Sequence, residues 1–240
     1  MNKTTTTMSS QITTLTLIKY PTLKTKIWAF GMMQYAHRYL SNIKGLTFYK
    51  LMGSGKGLGF NPLPDWSTYA LLQIWKTEAD AIHFMENSPL ISLYDKNSSD
   101  RISLFMKNII AHGKWSKQEP FLPSASLNDQ NPVAVITRAT IKNSQLLRFW
   151  KYVPTAQKPI KNAEGLIYTK GIGEIPIKQM ATFSIWNNLD CVKNYAYKSR
   201  EHAQAVKMTR QYNWYSEELF ARFELYKKIG NWEGIDGLYN

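Results

Sequence analysis

One cysteine, Cys191, stands among 240 residues. A lone thiol closes no internal disulfide and excludes iron–sulfur clusters and cysteine-rich zinc sites; a reducing cytoplasm is the compartment that suits it. No apolar run reaches the roughly 18 to 20 residues of a membrane span. Histidine is scarce as well. His37, His83, His112 and His202 show no H-E-x-x-H spacing, so a zinc hydrolase is a poor reading, and no Ser–His–Asp arrangement can be read. Acids are few: 17 Asp and Glu against 30 Lys and Arg, a formal net charge of +13. The shortage is sharpest between Glu119 and Glu164. Asp129 is the single acid there, beside Arg138, Lys142, Arg148, Lys151, Lys158 and Lys161. Such an excess suits an anionic membrane surface, an acidic protein or nucleic acid, and equally a merely solvated basic face.

What is present is a core-forming chain, 44% hydrophobic. Residues 1–11, rich in Thr and Ser, carry no apolar secretory core and read as a disordered tail. Strands are expected at Thr13–Tyr20, Gly45–Met52, Ser67–Trp75 and Ser103–His112, with helices at Ile27–Asn42 and Glu78–Glu86 between them. Ser116–Pro132, with three prolines, reads as a linker. The order then recurs: strand Val133–Ile141, helix Ser144–Val153 ending before Pro154, strands Leu166–Lys170 and Gln179–Trp186, a helix carrying His202, and a strand around Ala221–Lys227.

The letters repeat too. GLTFYK at Gly45–Lys50 answers GLIYTK at Gly165–Lys170, TYALLQIW ending at Trp75 answers MATFSIW ending at Trp186, and each half closes on Gly-x-Trp, at Gly113 and Gly230. Two copies at so long a period do not make a solenoid. They fit an α+β chain of tandem ferredoxin-like βαββαβ repeats, two antiparallel sheets facing each other in a dimeric α/β-barrel-like unit. The expected division is a tail to residue 11, a first half over 12–115, a linker over 116–131 and a second half over 132–232.

The glycines from Gly53 to Gly59 form no nucleotide loop: Gly57 rather than Ser or Thr follows Lys56, and Pro62 and Pro64 forbid the helix a dinucleotide fingerprint needs. No RNP or GXXG signature supports RNA binding. His202 sits with Ala205, Val206 and Thr209 on the apolar side of an amphipathic helix, opposite Arg200, Glu201, Gln204 and Lys207. An imidazole so placed is either a core histidine satisfied by a backbone carbonyl or an axial ligand to haem iron. Its counterpart in the first half, 16 positions after Trp75, is Ile91, so any such site belongs to one half.

The segments LMGSGKGLGFNPLPDWSTYALLQIW, GKWSKQEPF, PVAVITRATI, FWKYVP, GIGEIPIKQMATFSIW and HAQAVKMTRQYNWYSEELFARF together resemble the spheroidene monooxygenase family of carotenoid-modifying enzymes, over roughly residues 25–227. The resemblance implies a haem-dependent monooxygenase on the dimeric α/β-barrel fold. Such an enzyme oxidises a carotenoid at C-2 to an alcohol and on to a ketone, with O2 and electrons from a ferredoxin-type donor. The histidine of HAQAV matches the family's, which implies His202 as the haem and metal ligand. Arg138, in ITRATI, matches as well; a charge in mid-strand lies either on a wet face or against an anion such as a haem propionate. Arg210 is a second propionate candidate, and Lys170 a weaker one. A membrane-dissolved substrate and a chain without a span imply work in the cytoplasm at the membrane surface. The stretch from Arg138 to Lys161 would face anionic lipid or dock the donor, and no nucleic acid is expected. The rival reading is a non-catalytic haem- or lipophile-binding α/β-barrel protein.

Overall fold

Threonine-rich ITTLTLIK forms strand β1 (Ile12–Lys19), buried along nearly its whole length. Its weak alternation has a structural cause: one face looks into a barrel and the other lies under helices, so neither face needs to be polar. The hydroxyls on the helix side are satisfied locally. Thr16 Oγ1 lies 2.9 Å from Ser103 Oγ, and Trp75 Nε1 donates to Thr14 Oγ1 at 3.0 Å.

The computed structural model describes residues 9–59, 61–126, 131–157, 160, 162–198, 208–209, 211–235 and 237–238. After β1 come α1 (Leu23–Tyr35), α2 (His37–Leu40), β2 (Leu46–Gly55), β3 (Pro64–Trp75), α3 (Glu78–Asn87), α4 (Pro89–Asn97) and β4 (Asp100–Gly113). The second half supplies β5 (Val133–Ile141), α5 (Leu146–Gln157), β6 (Leu166–Ile175), β7 (Gln179–Trp186), α6 (Leu189–Lys198) and β8 (Tyr215–Gly230). All strand pairings are antiparallel, and the fold is α+β around one closed eight-stranded barrel in the order β1-β3-β2-β6-β7-β5-β8-β4.

The two four-stranded sheets therefore do not stack face to face, as expected from the sequence; they join edge to edge. The joins are β2 to β6, through Gly53↔Gly173 and Ser54↔Ile172, and the long β4–β8 ladder from Ile102↔Gly230 to Gly113↔Leu219. Closure satisfies the edge N–H and C=O groups that two open sheets would expose.

The register is the same in both halves. Trp75 pairs with Ile12 and Leu46, and Trp186 pairs with Val133 and Leu166. A register shift follows Leu46 on β2 and Leu166 on β6. Gly45 and Gly165 enter these strands at φ 77° and 74°, and a Cβ on either would come within 2.3 Å of Asp80 or Cys191, so the shared glycine of GLTFYK and GLIYTK is a steric requirement.

Three local readings differ from the sequence expectation. α1 starts at Leu23, where Thr22 and Thr25 form a reciprocal cap. α4, unassigned from sequence, follows Ser88 as cap and Pro89 in its first turn. α5 runs past Val153 to Gln157. Pro154 lies within it and does not end it.

The barrel interior is filled by Leu15, Leu72, Leu104, Ile136, Phe183 and Phe223 among others. The segment after β4, expected as a linker, packs against one end of it. Trp115 and Phe121 are buried in the interior cluster, Phe121 meeting the Phe223 ring at 5.0 Å. Trp232 and Ile235, beyond β8, enter from the other end of β4.

Candidate functional site

The helices cover the two halves differently. Over the first half the outer face of the sheet and α1–α4 share one continuous apolar cluster that includes Leu51, Leu71, Trp75 and Phe84. Over the second half the described apolar residues form two clusters. One gathers Val133, Val135, Trp186, Leu189 and Val192 toward α6; the other gathers Ile141, Phe149, Val153, Met180 and Trp214 toward α5.

The two halves differ residue by residue on this face. Across the first half a row on the helix side runs Ser103, Thr16, Leu71, Leu51, and all four are buried. The same row in the second half runs Phe220, Thr137, Thr182, Gly171. Where two leucines stand in one half, the other has Gly171, buried, and Thr182, half-buried, while Thr137, in mid-strand, is exposed. This floor of small residues, flanked by the apolar Val135 and Phe220 toward α6 and by Met180 and Phe149 toward α5, is called the bay below. Three buried polar atoms around it find no hydrogen-bond partner among the described residues: Thr169 Oγ1, Tyr152 Oη and Trp214 Nε1. Such atoms are costly unless something meets them. Burial also pushes the Tyr195 phenol, on α6, up to about 12.

His202 and Arg210 lie outside the described residues. Their flanks are placed: α6 ends at Lys198, and Met208 and Tyr212 pack against the Phe149–Trp214 cluster. The other three histidines are exposed. His37 Nδ1 lies 2.9 Å from the Tyr49 hydroxyl, and His83 contacts Asn87 within α3. His112 pairs with Phe220 and so continues the bay's own row, two strands from Thr137. Among the described residues no group of three or more His, Cys, Asp or Glu could hold a metal ion, and no helix is long and apolar enough to cross a membrane. A cavity of about 420 Å³ opens at the start of β8, but Glu217, Glu218, Ser216 and Asn213 among its lining make it a polar space.

Arg138 and Lys170 point the opposite way from the bay, into the barrel. Arg138, only 2% exposed, is matched by carboxylates of its own chain: it pairs with Glu217 and lies 3.5 Å from Glu174. Lys50 reaches Glu174 at 2.6 Å, Trp115 Nε1 donates to the same carboxylate at 2.7 Å, and Arg138 sits over the Trp115 ring. The consecutive left-handed residues Ser116 and Lys117 aim their amides at Glu217, at 3.0 and 2.7 Å. Lys170 pairs with Asp65 at 2.8 Å. A propionate role for Arg138 or Lys170 is therefore not what their geometry offers, and Arg138 is no part of a basic outer surface. The physical reason is parity: a residue's face in a barrel is set by its position along the strand, and these two share the inward set with Ile136 and Ile172.

The interior network has a measurable consequence. Burial alone would raise Glu217, but the Lys117 and Ser116 amides and the Arg138 guanidinium outweigh it and hold the carboxyl below its ordinary value. A depressed carboxylate stabilises the fold above its unfolded pKa of about 4.3 and loses that contribution as pH falls through the folded value. Glu217→Ala should cost about 3 kcal/mol at pH 7, because it leaves Arg138 buried and under-paired, and the cost should shrink toward pH 3. Urea titrations of both proteins at the two pH values check this; equal midpoints at pH 7 would mean that the network contributes nothing net.

The missed functional residues had a sequence signal. Setting GLTFYKLM over GLIYTKGI, and YALLQIW over MATFSIW, places Gly171 under Leu51 and Thr182 under Leu71.

No protein-family model matches the chain. It is 33% identical over 227 residues to spheroidene monooxygenase of Cereibacter sphaeroides, covering 94% of this chain and 70% of that protein. With the spheroidene monooxygenase of Rhodobacter capsulatus it shares 33% identity over 229 residues, 95% of either chain. With that of Rubrivivax gelatinosus the figures are 30% over 209 residues, 87% of this chain and 80% of the relative. In fold it is similar to the crystal structure of an aldoxime dehydratase, with a TM-score of 0.62 at 9% identity over 92% of this chain and 84% of the other. A second aldoxime dehydratase, crystallised with butyraldoxime, gives 0.61 at 11% over 94% and 84%.

Proposed function

Because the chain belongs to the spheroidene monooxygenase family, we propose that it is a haem-dependent monooxygenase that oxidises a carotenoid at C-2 with O2 and ferredoxin-type electrons. The observation that carries the haem part is the bay: a floor of Gly171, Thr182 and Thr137 flanked by apolar residues, with leucines at two of the matching positions in the first half. Its chemistry fits a planar apolar group, and the segment with the family-matching histidine, His202, joins α6 to the Met208–Tyr212 stretch on either side of it. Haem bound there would supply the O2 chemistry.

The chain's own residues do the rest. His202 would hold the iron and Arg210 would partner a propionate. Val135, Phe220, Met180 and Phe149 would keep water from the bound group, and Tyr152 and Trp214 would donate hydrogen bonds to it or to a substrate oxygen. Arg148 and Lys151, exposed on α5, with half-buried Lys142 just before it, are a candidate dock for an acidic electron donor. In this reading the two halves are a duplicated ferredoxin-like βαββαβ unit in which only the second has kept its bay open, and the enzyme works at the cytoplasmic face of a membrane.

The test is a haem titration of the purified protein followed by turnover. A Soret band saturating at one haem per chain, and oxidation of an acyclic carotenoid under O2 with reduced ferredoxin, are expected. Haem binding without turnover would leave a haem- or lipophile-binding protein, and no Soret band would remove the haem assignment.

A further inference from the structure

α1 is apolar on two sides. Ala29 and Met32 face the core, while Leu23, Ile27 and Phe30, spaced four and three residues apart, point outward at 74%, 65% and 59% exposure. A surface helix ordinarily turns polar residues outward. The β2–β3 hairpin extends this apolar surface: Trp66 is half exposed and its ring meets that of Phe30 at 5.3 Å, and Leu63 is exposed three residues earlier.

The stretch of chain that carries the patch has one sign of charge. Residues 1–64 contain no Asp or Glu. Lys24 on α1 and Lys56 on the hairpin are exposed, and Arg38 and Lys44 follow on the same side of the chain's order. The nearest acid in sequence, Asp65, is neutralised by Lys170. Leucine, isoleucine and paired aromatic rings, carried on a stretch with exposed lysines and no acid, match the boundary between acyl chains and anionic headgroups. A second copy of the chain fits poorly, since a twofold contact would set lysine against lysine.

We propose that α1 and the tip of the β2–β3 hairpin form the surface by which this protein docks on an anionic lipid bilayer. The basic side of α5 is then free for another partner. The inference goes beyond the enzymatic reading and does not depend on it, because lipid docking needs neither haem nor carotenoid.

The experiment sediments the full chain with vesicles of equal parts phosphatidylglycerol and phosphatidylcholine, and with vesicles of phosphatidylcholine alone, both free of carotenoid. Binding is expected to the mixed vesicles, at least about tenfold weaker to the neutral ones, and weakened by salt. Ile27→Ser with Phe30→Ser should reduce binding about tenfold or more while circular dichroism stays unchanged, as both side chains are exposed. Lys24→Glu with Lys56→Glu should do the same without touching the apolar residues. Leu147→Ser, an equally exposed apolar site on α5, should bind as the parent does. Undiminished binding by both double variants overturns the proposal. So does a parent that binds no vesicle, including one that self-associates through Ile27 and Phe30 or that binds only an acidic protein.

Discussion

Gly171→Leu combined with Thr182→Leu is expected to abolish haem loading while leaving the barrel at least as stable as before. The two substitutions copy into the second half the pair that already stands at the matching register of the first, where Leu51 and Leu71 lie opposite each other and are buried. Gly171 is not among the glycines of positive φ, so a side chain there meets no backbone penalty. Each newly buried leucine contributes up to about 1.5–3 kcal/mol, against a loss of space that a planar ligand cannot share. The measurement pairs a thermal melt with a haem titration: a melting temperature equal to or above the parent's, and no Soret band. A double variant that takes up haem as the parent does would place the cofactor elsewhere.

His202→Ala is the second large effect. An imidazole bonded to iron cannot be replaced by a methyl group without losing that bond, whereas a core histidine hydrogen-bonded to a carbonyl is lost with a stability cost alone. Haem binding should loosen so far that the Soret band is lost or shifted, and carotenoid oxidation should fall to background. Added imidazole should restore part of the band. His112→Ala is the decisive companion, because His112 stands on the same row as the bay, two strands from Thr137. It should keep the parent spectrum, as should His37→Ala and His83→Ala. Loss of the band on changing His112 but not His202 would move the axial ligand to β4.

The sequence located most of the secondary structure because each element declares itself locally. VAVITRATI and QMATFSIW are strands at the bounds expected from their β-branched and aromatic residues. Two errors were local in origin as well. Pro154 was given the force of a helix stop although the helix runs on to Gln157, and the Ser88–Pro89 start of α4 passed unread. The candidate site was harder. Gly171 and Thr182 are ordinary letters in their own strands; they form one floor of small residues only when β6 lies beside β7 in a register that brings them opposite each other.

By itself the sequence determined that this is a two-part α+β chain with matched strands, that it belongs to the spheroidene monooxygenase family, and that His202 has no histidine counterpart in the first half. Those conclusions rest on periodicity, on residue identity and on order along the chain. Tertiary structure alone decided that the two sheets close edge to edge, because β2–β6 and β4–β8 join residues more than a hundred positions apart and no local pattern encodes such a pairing. It also decided which way Arg138 faces. A strand offers two sides to every alternate residue, and only closure of the barrel made one of them a dry interior with Glu174 and Glu217 waiting in it.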